Sequence, residues 1–90
     1  MYIFMRRQLN DYEAWKEVVS DLDGLRARYG SRGFTSYRNA ANPNEVFLIF
    51  EWDDDKPYTA YLELPEVKRA LAATGAMEII EIDEVFHLPE

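Results

Sequence analysis

Few side chains in this 90-residue chain have the chemistry for catalysis. His87 is its single histidine, and so the side chain that titrates closest to neutrality without a large shift. As a general base it would have to face a cavity beside a substrate proton; near the chain end, a solvated strand terminus is the competing reading. Tyr37, Arg38 and Tyr61 are the other candidates for acid–base or electrostatic work. Strand alternation sends Tyr37 and Arg38 to opposite faces, so at most one of them serves a given cavity. Arg38 would need an acidic partner or an anionic ligand if buried, and on an edge strand it reads as solvated. Tyr12, Trp15, Trp52 and Tyr61 are candidates for lining a binding pocket. Tyr12 and Trp15 also fit an apolar helical stripe that packs into a core, and Trp52 fits a cavity mouth or a subunit interface equally well. Asp53-Asp54-Asp55 offers carboxylates for a hard cation, but adjacent side chains diverge and helix capping explains them, so no metal is expected. Glu78, Glu81, Asp83 and Glu84 occupy both parities without ligand spacing and read as a charged sheet edge. The absence of cysteine excludes disulfides and thiol nucleophiles.

The elements that must position these groups are arranged around Glu45–Trp52. Its run Val46–Phe50 is apolar on both parities and too short for a helix, so it reads as a strand covered on both faces. Met1–Leu9 opens in the same way and predicts a second buried strand. Asn10 stands where an N-cap is wanted, with Asp11 and Glu13 at the positive end of the helix dipole. Apolar residues at Tyr12, Trp15, Val18, Val19, Leu22, Leu25 and Tyr29 then predict one long amphipathic helix, stopped by Gly30. Gly33–Ala41 reads as a more exposed strand, and Asn42-Pro43-Asn44 as the hairpin turn that leads into Glu45–Trp52. Helices are predicted over Lys56–Glu63, with Pro57 in the first turn, and over Glu66–Thr74, with Gly75 as the stop. A final strand is predicted over Met77–Leu88.

The order β α β β α(α) β, with a right-handed crossover, predicts an α+β fold with sheet order 4-1-3-2. This order makes the two most apolar strands central. It also puts the helices on one face and leaves the other apolar, which predicts a two-fold dimer, sheet against sheet.

Charge and length restrict the partners. Seventeen acids against ten bases give a formal charge of −7, without the basic footprint that nucleic acid or an anionic membrane requires. Residues 1–90 are read as one domain. With arginines after rather than before the first apolar stretch, and no run of membrane-spanning length, a cytoplasmic protein is expected.

Across essentially its whole length the chain resembles the dimeric α/β-barrel superfamily, which has a ferredoxin-like βαββαβ fold and includes the antibiotic-biosynthesis-type monooxygenases. The resemblance is carried by Asp11-Tyr12-Glu13-Ala14-Trp15-Lys16, Asn42-Pro43-Asn44-Glu45-Val46, Phe50-Glu51-Trp52-Asp53-Asp54 and Leu64-Pro65-Glu66-Val67-Lys68. It implies a homodimer with a pocket between helices and sheet. Haem-degrading members place an iron-ligating histidine on the last helix. Glu66–Thr74 has none, so no cofactor is expected. The cofactor-independent members oxidise polycyclic phenols that themselves donate an electron to dioxygen, which makes this chain monooxygenase-like if it is an enzyme. A non-catalytic homodimeric domain that binds a small apolar ligand, and a polyketide-cyclase-like enzyme, stand beside that reading, because the motifs specify fold better than reaction.

Overall fold

A computed structural model describes residues 1–82. Eight elements follow one another: β1 (Tyr2–Leu9), α1 (Tyr12–Asp21), α2 (Asp23–Arg28), β2 (Ser31–Arg38), β3 (Glu45–Trp52), α3 (Tyr58–Leu62), α4 (Pro65–Thr74) and β4 (Gly75–Ile82). The four strands form one antiparallel-paired sheet in the order β2-β3-β1-β4, the expected α+β, ferredoxin-like arrangement. Met5 pairs with Leu48 on one side and with Ile79 on the other, and Phe34 pairs with Phe50.

This register sorts the side chains by parity. Ile3, Met5, Arg7 and Leu9 of β1, with Val46, Leu48, Phe50 and Trp52 of β3, are buried. Trp15, Tyr61 and Val67 from the helices complete this core. The alternate residues Phe4, Phe47, Ile49 and Ile80 lie on the open face, where Phe4 and Phe47 stack at 6.2 Å and Ile80 is 49% exposed.

Several boundaries differ from the expectation, each for a local reason. The cap of the first helix is Asp11, not Asn10: its Oδ1 accepts from the Glu13 and Ala14 amides at 2.9 and 3.3 Å. Asn10 instead ties to the end of α4, donating its amide to the Thr74 carbonyl at 3.0 Å. The long helix is divided at Leu22, whose ψ of −3° flattens one turn before the ladder resumes with Arg26 N–H donating to Leu22 at 2.8 Å. A Cβ on Gly24 would meet nothing within 4 Å, so close packing does not require that glycine. The aspartate run forms a turn, Asp53 accepting from the Asp55 amide, and α3 starts later with Pro57 as its cap. β2 begins at Ser31 with an irregularity before Gly33 and ends at Arg38.

The last strand starts two residues early because Gly75 passes from helix into sheet without a loop. Its φ of 140° favours glycine, and a Cβ there would collide with the Gln8 carbonyl oxygen.

Candidate functional site

A small cavity of about 40 Å3 lies between the helices and the sheet. Met5, Arg7, Leu48, Phe50 and Trp52 form its floor, and Trp15, Leu22, Arg26, Tyr58, Tyr61 and Leu71 reach it from the helical layer. Alternation explains the floor, since these five strand residues share one parity on two paired strands. The roof follows from the apolar stripe of α1 and from α3, which is one short segment carrying both tyrosines.

The aromatic wall is continuous. Trp52 is 3% exposed, its ring 5.7 Å from that of Tyr61, which in turn lies 6.4 Å from Tyr29. Trp52 can lie flat there because Gly30 lacks a side chain: a Cβ on Gly30, itself at φ 121°, would sit 2.8 Å from the indole nitrogen. That indole N–H is buried with no acceptor among the described residues. Burial pushes the Tyr61 hydroxyl pKa up, against a hydrogen bond and positive charge from Arg26 that pull it down. Its neutral, hydrogen-donating form therefore dominates at neutral pH.

Two arginines supply the positive charge. Arg26 is buried over Phe34 and Phe50, 5.1 and 5.8 Å from their ring centres, and donates to the Val19 carbonyl and the Asp23 carboxylate, both at 3.2 Å. Val19 lies in the last turn of α1, so Arg26 satisfies a carbonyl at the break between the two helices. Arg7 is 2% exposed and donates Nη2 to the Leu71 carbonyl at 3.0 Å and Thr74 Oγ1 at 2.8 Å. Desolvation lowers its pKa below that of an ordinary guanidinium. No carboxylate belongs to the described lining.

The site candidates fall into three groups. Trp15, Trp52 and Tyr61 converge on the cavity. Tyr12 and Arg38 meet each other instead: the Arg38 guanidinium sits 3.8 Å from the Tyr12 ring centre, and its Nε donates to the Pro43 carbonyl at 2.7 Å. Tyr12 also touches Trp15 at 5.8 Å, but both it and Arg38 stand outside the cavity. Arg38 is thus exposed yet held by a cation–π contact, where the sequence suggested a freely solvated group. Tyr37 is 59% exposed on the open face, so it cannot serve the cavity. His87 lies outside the described residues. Arg7, Arg26 and Tyr58 line the cavity and had not been singled out for it. The signal for Arg7 is parity alone: it shares the buried phase of Ile3, Met5 and Leu9. Among the described residues, no group of three or more His, Asp or Glu is placed to hold a metal ion, and no helix is long and apolar enough to cross a membrane.

The fold is that of known structures. The cofactor-independent oxygenase SnoaB from Streptomyces nogalater superposes with a TM-score of 0.78 at 22% identity, over 99% of this chain and 96% of that one. A candidate antibiotic biosynthesis monooxygenase from Deinococcus radiodurans gives 0.62 at 17% identity, over the full length of both chains. No curated protein sequence matches. Residues 10–73, from the cap region of α1 almost to the end of α4, match the model of the antibiotic biosynthesis monooxygenase family, and the chain belongs to that family.

Proposed function

We propose that the protein is a homodimer that binds a small aromatic molecule between its helices and sheet and oxidises it with dioxygen, without a cofactor. The observation that carries this reading is the cavity itself: apolar, walled by Trp15, Trp52 and Tyr61, and free of carboxylates among its described lining. Such a site shelters an electron-rich ring and excludes water from it. The ring supplies the electrons. One atom of dioxygen enters the product as a carbonyl oxygen on a ring carbon, and the other leaves as water with that carbon's hydrogen and the hydrogen of the phenol hydroxyl, which becomes the second carbonyl. Tyr61, held neutral, donates a hydrogen bond to a ring substituent.

The cavity of about 40 Å3 is smaller than the ~150 Å3 that accepts benzene in an engineered protein core, so seating a ring requires the roof to move. The element suited to this is α3. It has five residues and no side-chain cap, and it carries Tyr58 and Leu62 over the cavity. The apolar open face bearing Phe4, Phe47, Ile49 and Ile80 is the surface on which a second copy would seat.

Dioxygen uptake with a polycyclic phenol, in chelator-treated buffer without added flavin or metal, tests the reading. The expected result is enzyme-dependent uptake with a quinone product, lost in Trp52→Ala. Uptake no faster than the uncatalysed background, across a panel of such phenols that do bind, would leave a non-catalytic ligand-binding domain. The small volume favours that second reading, as does the lack of any base held by an orienting partner among the described lining.

A further inference from the structure

We propose that Arg7 is the receptor for an anionic oxygen of the bound molecule, so that the cavity selects planar aromatic anions over neutral analogues of the same shape. This inference rests on the cavity being a ligand site and names the class of ligand.

Arg7 is the anomaly of the core. It stands on the buried parity of a central strand among Met5, Leu9 and Leu48, and it lines the cavity. A buried cation is expected to face a carboxylate, yet none pairs with it among the described residues, and desolvation alone accounts for its shifted pKa. Its hydrogen bonds are to neutral groups. Nη2 donates to Leu71, to Thr74 Oγ1 and weakly, at 3.5 Å, to the Gly75 carbonyl. All three acceptors lie at the C-terminal end of α4, where a positive charge answers the helix dipole.

That structural role uses one nitrogen and leaves Nε unexplained. Nε is buried and has no acceptor among the described residues. A guanidinium is built to grip oxyanions through its N–H groups, and here Nη2 is held by the helix end while Nε lacks a partner among the described residues. The surrounding groups sharpen the selection. Arg26 also lines the cavity but is paired with the Asp23 carboxylate at 3.2 Å, which leaves Arg7 as the unpaired cation of the described lining; Trp52 adds a buried N–H donor, and no carboxylate in that lining repels an anion. The apolar floor of Met5, Leu48 and Phe50 takes the ring that carries the charge. A phenolate, an enolate or a carboxylate presents the required oxygen.

The test uses three probes of one shape: 4-nitrophenol, whose phenolate absorbs apart from the phenol, 4-nitrobenzoate, and neutral 4-nitroanisole. The wild-type protein should bind the two anions at least about tenfold more tightly than the anisole. The tighter of the two anions tells a phenolate site from a carboxylate site. Arg7→Met should lose the preference while still binding 4-nitroanisole, and Arg7→Lys should keep only part of it. Arg38→Met, outside the cavity, should behave as wild type. Equal binding of anions and anisole by the wild-type protein overturns the role of Arg7 but leaves the cavity as a ligand site. Binding of none of the three overturns both. Should Arg7→Met fail to fold, the wild-type comparison and Arg7→Lys still decide. A lysine variant that melts earlier but keeps the full anion preference reduces Arg7 to a helix-end cap and overturns the proposal.

Discussion

Arg6 and Arg7 are neighbours on β1 and belong to opposite faces of the sheet, and their surroundings invert the usual pattern. Arg6, half exposed, has two carboxylates: Glu45 takes its Nη2 at 2.6 Å and its Nε at 2.9 Å, and Glu78 lies 3.7 Å away. Arg7, almost fully buried, has none among the described residues. On the open face Arg6 is neutralised by carboxylates of the sheet itself. The helix-covered face retains positive charge in a confined space, which is the property of a site rather than of a core.

The largest effect that would sharpen this contrast is on the covered face. Trp52→Ala should lower stability by about 3–5 kcal/mol, because the ring is buried against Tyr61 and the helical layer cannot collapse fully onto the gap. Trp52→Phe should cost far less, since it also removes an indole N–H that has no acceptor among the described residues. Chemical denaturation measures both, and similar losses for the two would mean that the N–H is satisfied. On the open face Phe47→Asp should turn the proposed dimer into a monomer by light scattering while the far-ultraviolet dichroism stays unchanged. A dimer that survives this charge would place the interface elsewhere. A smaller gain, roughly 0.5–1 kcal/mol, is expected from Gly24→Ala, which fills open space on α2. A loss there would show that the break at Leu22 needs the glycine.

The smallest effect is a pH dependence confined to the open face. The Asn39 side-chain hydrogen bond, at 2.6 Å, and then that of Arg6 hold the Glu45 carboxyl below its ordinary value of 4.5. A lowered carboxyl pKa contributes stability that is present above the unfolded value and is lost as pH falls through the folded one. Stability should therefore decline below about pH 4.5, and Asn39→Ala should flatten that decline. An unchanged acid limb in the variant would assign the decline to other carboxylates.

Sheet order and the central strands follow from residue pattern because burial on two faces leaves a sequence trace: Val46–Phe50 is apolar on both parities, and only a central strand needs that. The same property hid Arg7. Where Tyr2 to Met5 are all apolar, neither parity stands out, and Arg6-Arg7 reads as the polar end of a strand rather than as one surface and one buried residue. The capping exchange between Asn10 and Asp11 has a similar origin, since both residue types cap well and only the tie from Asn10 to α4 decides between them. Alternation separated Tyr37 from Arg38 correctly. The contact of Arg38 with Tyr12 joins an edge strand to a helix and leaves no mark in either segment.

The direct passage from Thr74 to Gly75 has a kinetic meaning. With no connecting residue to absorb motion, the last turn of α4 cannot fray without also loosening the pairing of Gly75 with Leu9. Amides in that turn should therefore exchange with solvent at the slow rate of the central strands, and not at the faster rate of an ordinary helix end. The side chain of Arg7 then has an anchor on the same slow clock as the strand that bears it.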